Sequence, residues 1–277
     1  MTAALLAAGA ALCYGVSNFA GPRIVRDLPL YPVLISGQVV ALVVSAALLA
    51  TESGGPSSEE VAAAFVAGAG NAFALLAFYR AASIGPMSIV APLSALGAVV
   101  PVLVGAAHGE SIGAFKLVAI AIALTGVALA ARPARSEDAG DRRAAAGWAL
   151  ASSLGFGVFL AGMSEAGSGG AFWAIALSRM SLLVIFVAAA LRRSSPLRVA
   201  GRDLPRVMVP GLLLFAGTLL YTVATREGDL SVVSVIASLA PVVIVALAFT
   251  LLGERLSRTQ AIGAAAAIAG SVMLAAR

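Results

Sequence analysis

Arg179 is the side chain whose type and place invite chemistry. It sits within the apolar run 172–191 and is the only charged residue well inside any such run. A charge in hydrocarbon is costly and usually faces protein or a water-filled path. Its planar fork can hold a carboxylate or phosphate through two bonds. The competing reading is that it snorkels to the headgroups or bonds to carbonyls of a neighbouring helix. The run 206–225 carries Thr218, Tyr221, Thr222 and Thr225, at steps that put them on one helical face. Such a stripe suits a cavity wall, although threonines also bond back to their own helix and Tyr221 suits a membrane interface. Tyr14, Ser17 and Asn18 share a face of the first run, and Ser231, Ser234 and Ser238 repeat the spacing late in the chain. Gln38, Asn71 and Tyr79 add polar groups, two of them amides that hydrocarbon cannot satisfy. Residue by residue, interhelical hydrogen bonds explain these groups. Together they outline a polar cavity. The candidate binding set is Arg179, Tyr14, Asn18, Gln38, Asn71, Tyr79, Thr218, Tyr221, Thr222 and Ser238.

Other chemistries fit poorly. All 13 carboxylates lie in loops or at the ends of apolar runs. A cationic ligand therefore lacks a counter-ion, whereas Arg179 and Arg80 favour an anionic or zwitterionic one. His108 stands two residues before Glu110, where solvation of a helix end explains it better than a proton relay. A single histidine with no paired serine argues against an intramembrane protease. The lone Cys13 rules out an internal disulfide and a cysteine-based metal site. No metal and no cofactor is expected. The pI of 10.1 could suggest nucleic acid, but arginines in cytoplasm-facing loops account for it, so nucleic acid is not an expected partner. No Lys or Arg precedes the first run, so residues 2–21 read as a retained helix rather than a signal peptide.

The elements that position these residues must lie in lipid. Of 277 residues, 61% are hydrophobic and 11% charged, with a mean hydropathy of +1.02. Soluble chains are about 45–50% apolar and about 25% charged. A helix needs about 20 apolar residues to cross the hydrocarbon core. Ten runs meet that need: 2–21, 31–50, 61–83, 86–107, 114–131, 144–164, 172–191, 206–225, 230–252 and 259–276. The 29 glycines suit close helix packing in a bilayer. The longest polar breaks are Thr51–Glu60 and Arg132–Arg143. The second separates a five-helix half, 1–132, from another, 144–277, through a connecting loop, 133–143.

The halves share a register. A shift of 144 brings Ser94 onto Ser238, Gly109-Glu110 onto Gly253-Glu254 and Gly126 onto Gly270. The prolines do not register, since Pro101 falls on Val245. In each Gly-Glu turn, Gly permits the bend and Glu sits near the N-terminus of the next helix, where the dipole favours it. An odd number of helices per half inverts the second half, so equivalent loops should differ in basic residues. They do. Loop 1–2 holds Arg23 and Arg26, while loop 6–7 holds Glu165 and no base. Loop 2–3 holds Glu52, Glu59 and Glu60, while loop 7–8 holds five arginines. Fourteen arginines fall on one side; the other has Lys116, Arg226 and Arg277. The first side is read as cytoplasmic and both termini as non-cytoplasmic.

The end of each half, a Pro-bearing run, then Gly-Glu, then a Gly-containing run, resembles the EamA-type members of the drug/metabolite transporter superfamily. Leu251-Leu-Gly-Glu-Arg-Leu-Ser257, followed by Gly263 and Gly270, carries it most closely. Leu177-Ser178-Arg179 resembles the arginine motif of that helix, and Tyr14-Gly15 resembles a Trp-Gly start with Tyr for Trp. In the first half Gly37-Gln38 stands where the arginine would be. The resemblance covers nearly the whole chain. With the loop pattern it implies an all-α integral membrane protein, ten transmembrane helices in two inverted five-helix repeats, in the inner or plasma membrane. It further implies secondary transport of a small metabolite, an amino acid or related organic anion, by alternating access. The alternatives are phosphorylated or sugar-linked solutes, or a membrane scaffold without a transport path. An integral-membrane enzyme is disfavoured by the lack of a paired catalytic set. The expected partners are a small-molecule substrate and the lipid bilayer, with a homo-oligomer left open.

The loop charges make one direct prediction. Alkaline phosphatase fused after Arg277 should be active, and a fluorescent protein at the same site dark. The opposite pair of results would invert the assignment.

Overall fold

The computed structural model describes residues 1–85, 90, 93–130, 139–252 and 257–275. The stretch 86–89, the second Gly-Glu pair Gly253-Glu254, and Arg132, Arg135, Arg255 and Arg277 lie outside them. Among the described residues the structure is helical, with no strand. The helices are α1 (Thr2–Asp27), α2 (Leu30–Leu48), α3 (Ser58–Ile84), α4 (Val99–Ala107), α5 (Ala114–Ala130), α6 (Ala139–Gly167), α7 (Ala171–Arg192), α8 (Leu204–Glu227), α9 (Leu230–Ala237), α10 (Ala240–Leu252) and α11 (Arg258–Ala275). Among these residues, six helices, α1, α2, α3, α6, α7 and α8, are long and apolar enough to cross a membrane; the others are shorter apolar helices. Large apolar side chains point outward all round the bundle, among them Leu5, Val43, Leu103, Val184 and Leu251. Such a surface suits lipid. Inside, small residues such as Ala7, Ala10, Ala64, Ala67 and Ala74 are fully buried and let the helices approach closely.

Two expected helices are broken. The run 86–107 contains a tight 3₁₀ turn at Leu96–Ala98 before α4, and the run 230–252 divides at Ser238–Leu239 into α9 and α10. Proline explains both breaks, because it has no N–H for the carbonyl four residues back. Pro101 cannot serve Gly97, and Pro241 cannot serve Ala237. α6 begins at Ala139, ahead of the expected run 144–164.

The halves interlock rather than sit side by side. α3 packs on α6 and α7, and α1 packs on α8; α2 meets α7 and α8; α5 meets α11. Exchange of the halves carries α1–α8 into α6–α3, and α3–α7 into α8–α2. The crossing of α5 and α11 shows the 144-residue register directly. A Cβ on Gly126 would collide with the backbone of Ala267, and one on Gly270 with that of Ala123. Both glycines and both contacts are related by the same shift.

One end of the bundle is held by carboxylates that cap helices of the other half. α7 and α9 start at Gly170 and Asp229, which give no side-chain cap. Glu52 accepts hydrogen bonds from the amides of Phe172 (3.0 Å) and Trp173 (3.2 Å). Glu110 accepts from those of Leu230 (2.6 Å) and Ser231 (3.2 Å). This corrects the expected role of the first Gly-Glu turn. Glu110 does meet a helix N-terminus, but that of α9, because tertiary packing brings that N-terminus to the carboxylate. Lys116 pairs with Asp229 at the same end, Ser168 donates to Glu60 (2.7 Å), and Arg226 donates from Nε to the Gly167 carbonyl (2.6 Å). Glu60 also completes a capping box with Ser57 at the start of α3.

Removing a helix cap costs about 0.5–2 kcal/mol. Glu110→Ala should therefore lower stability by about that much and speed amide exchange at Leu230 and Ser231. Unchanged exchange at both amides would show that the cap does not hold α9.

Candidate functional site

A cavity of about 90 Å³ lies where the two broken helices meet the middle of the bundle. That volume takes several waters or part of a small solute. Its polar wall comes from both halves: Tyr14 and Asn18 of α1, Asn71 of α3, Ser94, Arg179 of α7, Thr218 of α8 and Ser238. Phe78, Phe156 and Phe159 form an aromatic side. Gly97 and Ala98 of the first break, and Ala237, Ala240 and Pro241 of the second, also line it.

Arg179 is 1% exposed, which excludes snorkelling to the headgroups. Its Nη2 donates to Thr218 Oγ1 at 2.7 Å. Thr218 passes its own proton to the Leu214 carbonyl (2.7 Å), so its oxygen is free to accept from Arg179. Tyr14 reaches the same oxygen at 3.5 Å, the long end of a hydrogen bond. The Nε and Nη1 of Arg179 have no partner. Arg179 has no ion pair among the described residues, and its guanidinium carbon stands 6.0 Å from the Phe159 ring centroid. The arrangement is a cation on a cavity wall, fixed at one nitrogen and open at two.

The polar stripe of α8 divides along its length. Thr218 lines the cavity, but Tyr221 and Thr222 do not. Tyr221 donates to the Leu160 carbonyl (2.9 Å) and accepts from Ser234 (2.8 Å), tying α8 to α6 and α9. Thr222 is fully buried beside Gly167 with its hydroxyl unpartnered. Thr225 bonds back to the Thr222 carbonyl. Arg80 is exposed on α3 and lines neither cavity. His108 is exposed, and the Glu110 carboxylate is engaged with α9.

Gln38 and Tyr79 are not beside Arg179. They line a second, smaller chamber of about 20 Å³ between α1, α2, α3 and α8. Asn18, Leu75 and Leu214 line both spaces and form the partition between them. Gln38 is 1% exposed and its Oε1 has no partner.

Ser94 is the polar wall residue absent from the sequence-derived set. Its hydroxyl donates to Ser152 at 2.6 Å, because Ser152 gives its own proton to the Ala149 carbonyl. The 144-residue register pairs it with Ser238 and so pointed to it. The aromatic side had no such signal, since apolar rings are common in any membrane helix.

A solved structure described only as a crystal structure of a protein superposes on this chain with a TM-score of 0.77 at 16% identity, covering 98% of this chain and 96% of that one. That likeness concerns the fold. No curated protein matches the chain. The EamA-like transporter family matches it twice, over residues 1–132 and 143–276. Two matches that together span nearly every residue, on an interlocked pair of helical halves, place this chain in the EamA-like transporter family, membrane transporters of the drug/metabolite type.

Proposed function

We propose that the protein is a ten-span secondary transporter, built as two inverted five-helix repeats, that moves a small anionic or zwitterionic metabolite by alternating access. An amino acid or a related organic anion is the solute class that this reading favours. The observation that carries it is the unfilled bonding capacity of Arg179. A buried arginine without an acid costs about 2.5–3.5 kcal/mol on insertion scales. Two of its nitrogens lack partners while it faces a polar cavity. A solute carboxylate is a partner of the right charge and shape, present only when bound. Clustering of Tyr14, Asn18, Asn71, Ser94 and Ser238 around the same space supports a transport path over a scaffold, in which polar groups would be dispersed and paired between helices.

The caps at one end support a state closed on that side. Opening there would release the α7 and α9 N-termini from Glu52 and Glu110.

The test is uptake by proteoliposomes offered a panel of radiolabelled amino acids and small carboxylates. Arg179→Lys keeps the charge but loses the planar fork. It should lower transport at least about tenfold, the worth of one charge-assisted hydrogen bond, with the protein still inserted and folded. Arg179→Gln should be worse. Parent-like transport by both variants would remove the anion preference, and a parent that carries no panel member would count against the solute class.

A further inference from the structure

Gln38 poses a problem that the central cavity does not solve. Its carboxamide is almost completely buried, yet its oxygen has no hydrogen-bond partner. An apolar side chain of similar shape would avoid the penalty of an unpaired buried acceptor. The bland explanation, interhelical bonding, would require the bond that is missing.

The place of the chamber gives the group a use. The chamber has room for about one water. On one side it meets the central cavity through the Asn18, Leu75 and Leu214 partition. On the other it is bounded by Ile24, Val33 and Val207, which pack together just beneath the exposed Asp27–Arg206 ion pair of 2.8 Å. It therefore lies between the cavity and the end of the bundle that carries Arg23, Arg26 and Arg206. The opposite end is the one held by Glu52 and Glu110.

We propose that the Gln38 chamber is a second solute-contact site, on the passage between the central cavity and the arginine-bearing end, where the carboxamide takes a hydrogen-bond donor, an N–H or O–H, of the passing solute. This rests on the transport reading of the central cavity. Gln38 and Arg179 act in succession, because they line separate spaces. Leu75 and Leu214 form the apolar constriction that must part between the two stages, and Asn18, which faces both, offers a polar contact across it.

Purified full-length parent and Gln38→Met protein, reconstituted and assayed by counterflow with the same labelled panel, test the idea. Gln38→Met should slow the panel member carried by the parent about tenfold. Its Tm should be equal to or higher than the parent's, since the variant removes an unpaired acceptor. Equal rates overturn the proposal. So does a parallel loss of rate and Tm, which would mark a structural role. A second measurement needs no known solute. Gln38→Cys in a Cys13→Ser background is treated with membrane-impermeant sulfonatoethyl methanethiosulfonate from each face. Labelling from the arginine-bearing end is expected, and labelling from neither face, or from the opposite face alone, overturns the passage. A parent that carries no panel member fails the transport reading for those solutes, while the labelling still decides whether the chamber opens to that end.

Discussion

The N-terminus of a helix leaves backbone N–H groups without intrahelical partners, and in a membrane protein water is not always there to serve them. α7 and α9 begin without caps of their own, and carboxylates from the other half supply them. The consequence is long-range. Lipid gives no hydrophobic drive for one helix to join another, so packing and polar contacts must do so. Glu52 and Glu110 thereby fix where the second half sits against the first at one end. The pairing of Lys116 with Asp229 and the bonds of Glu60 and Arg226 reinforce that end. The cavity beneath is shaped by this closure.

The cavity itself depends on failures of helix geometry. Pro101 and Pro241 interrupt two helices beside the cavity, and residues at both interruptions line the space. Discontinuous helices at depth are tolerated where they line a cavity or are buried in protein. Arg179 is then placed by one short bond to Thr218, whose hydroxyl is itself fixed by the Leu214 carbonyl. A cation so held cannot swing to the surface.

Much of this was legible in the sequence. The internal repeat appeared as Gly126 and Gly270, and those glycines prove to be equivalent members of one crossing. Arg179, Tyr14, Asn18, Asn71, Thr218 and Ser238 stand out as polar groups in apolar runs, and they line one space. Other features required the tertiary structure. Helical spacing tells which residues share a face but not what covers that face along its length. Thr218 therefore meets a cavity while Tyr221, one turn on, meets α6 and α9. Gln38 and Tyr79 share a wall with Asn18 but not with Arg179, a distinction carried by Leu75 and Leu214, which look like any other leucines. The helix breaks were encoded by visible prolines, yet an apolar run reads as continuous because proline is itself compatible with lipid. The partner of Glu110 could not be read at all, since it lies 120 residues away.

The crossing of α5 and α11 has a consequence of another kind. Gly126 meets Ala267 as Gly270 meets Ala123, and among the described residues none of either helix lines either cavity. In geometry this is an isologous contact, the self-complementary kind that two identical subunits make about a two-fold axis, here formed within a single polypeptide. A separate copy of one half would carry both sides of that contact. The crossing is thus the place where the chain still follows the rules of a homodimer. Asymmetry resides elsewhere: Arg179 of one half lines the central cavity, and Gln38 of the other lines the smaller chamber.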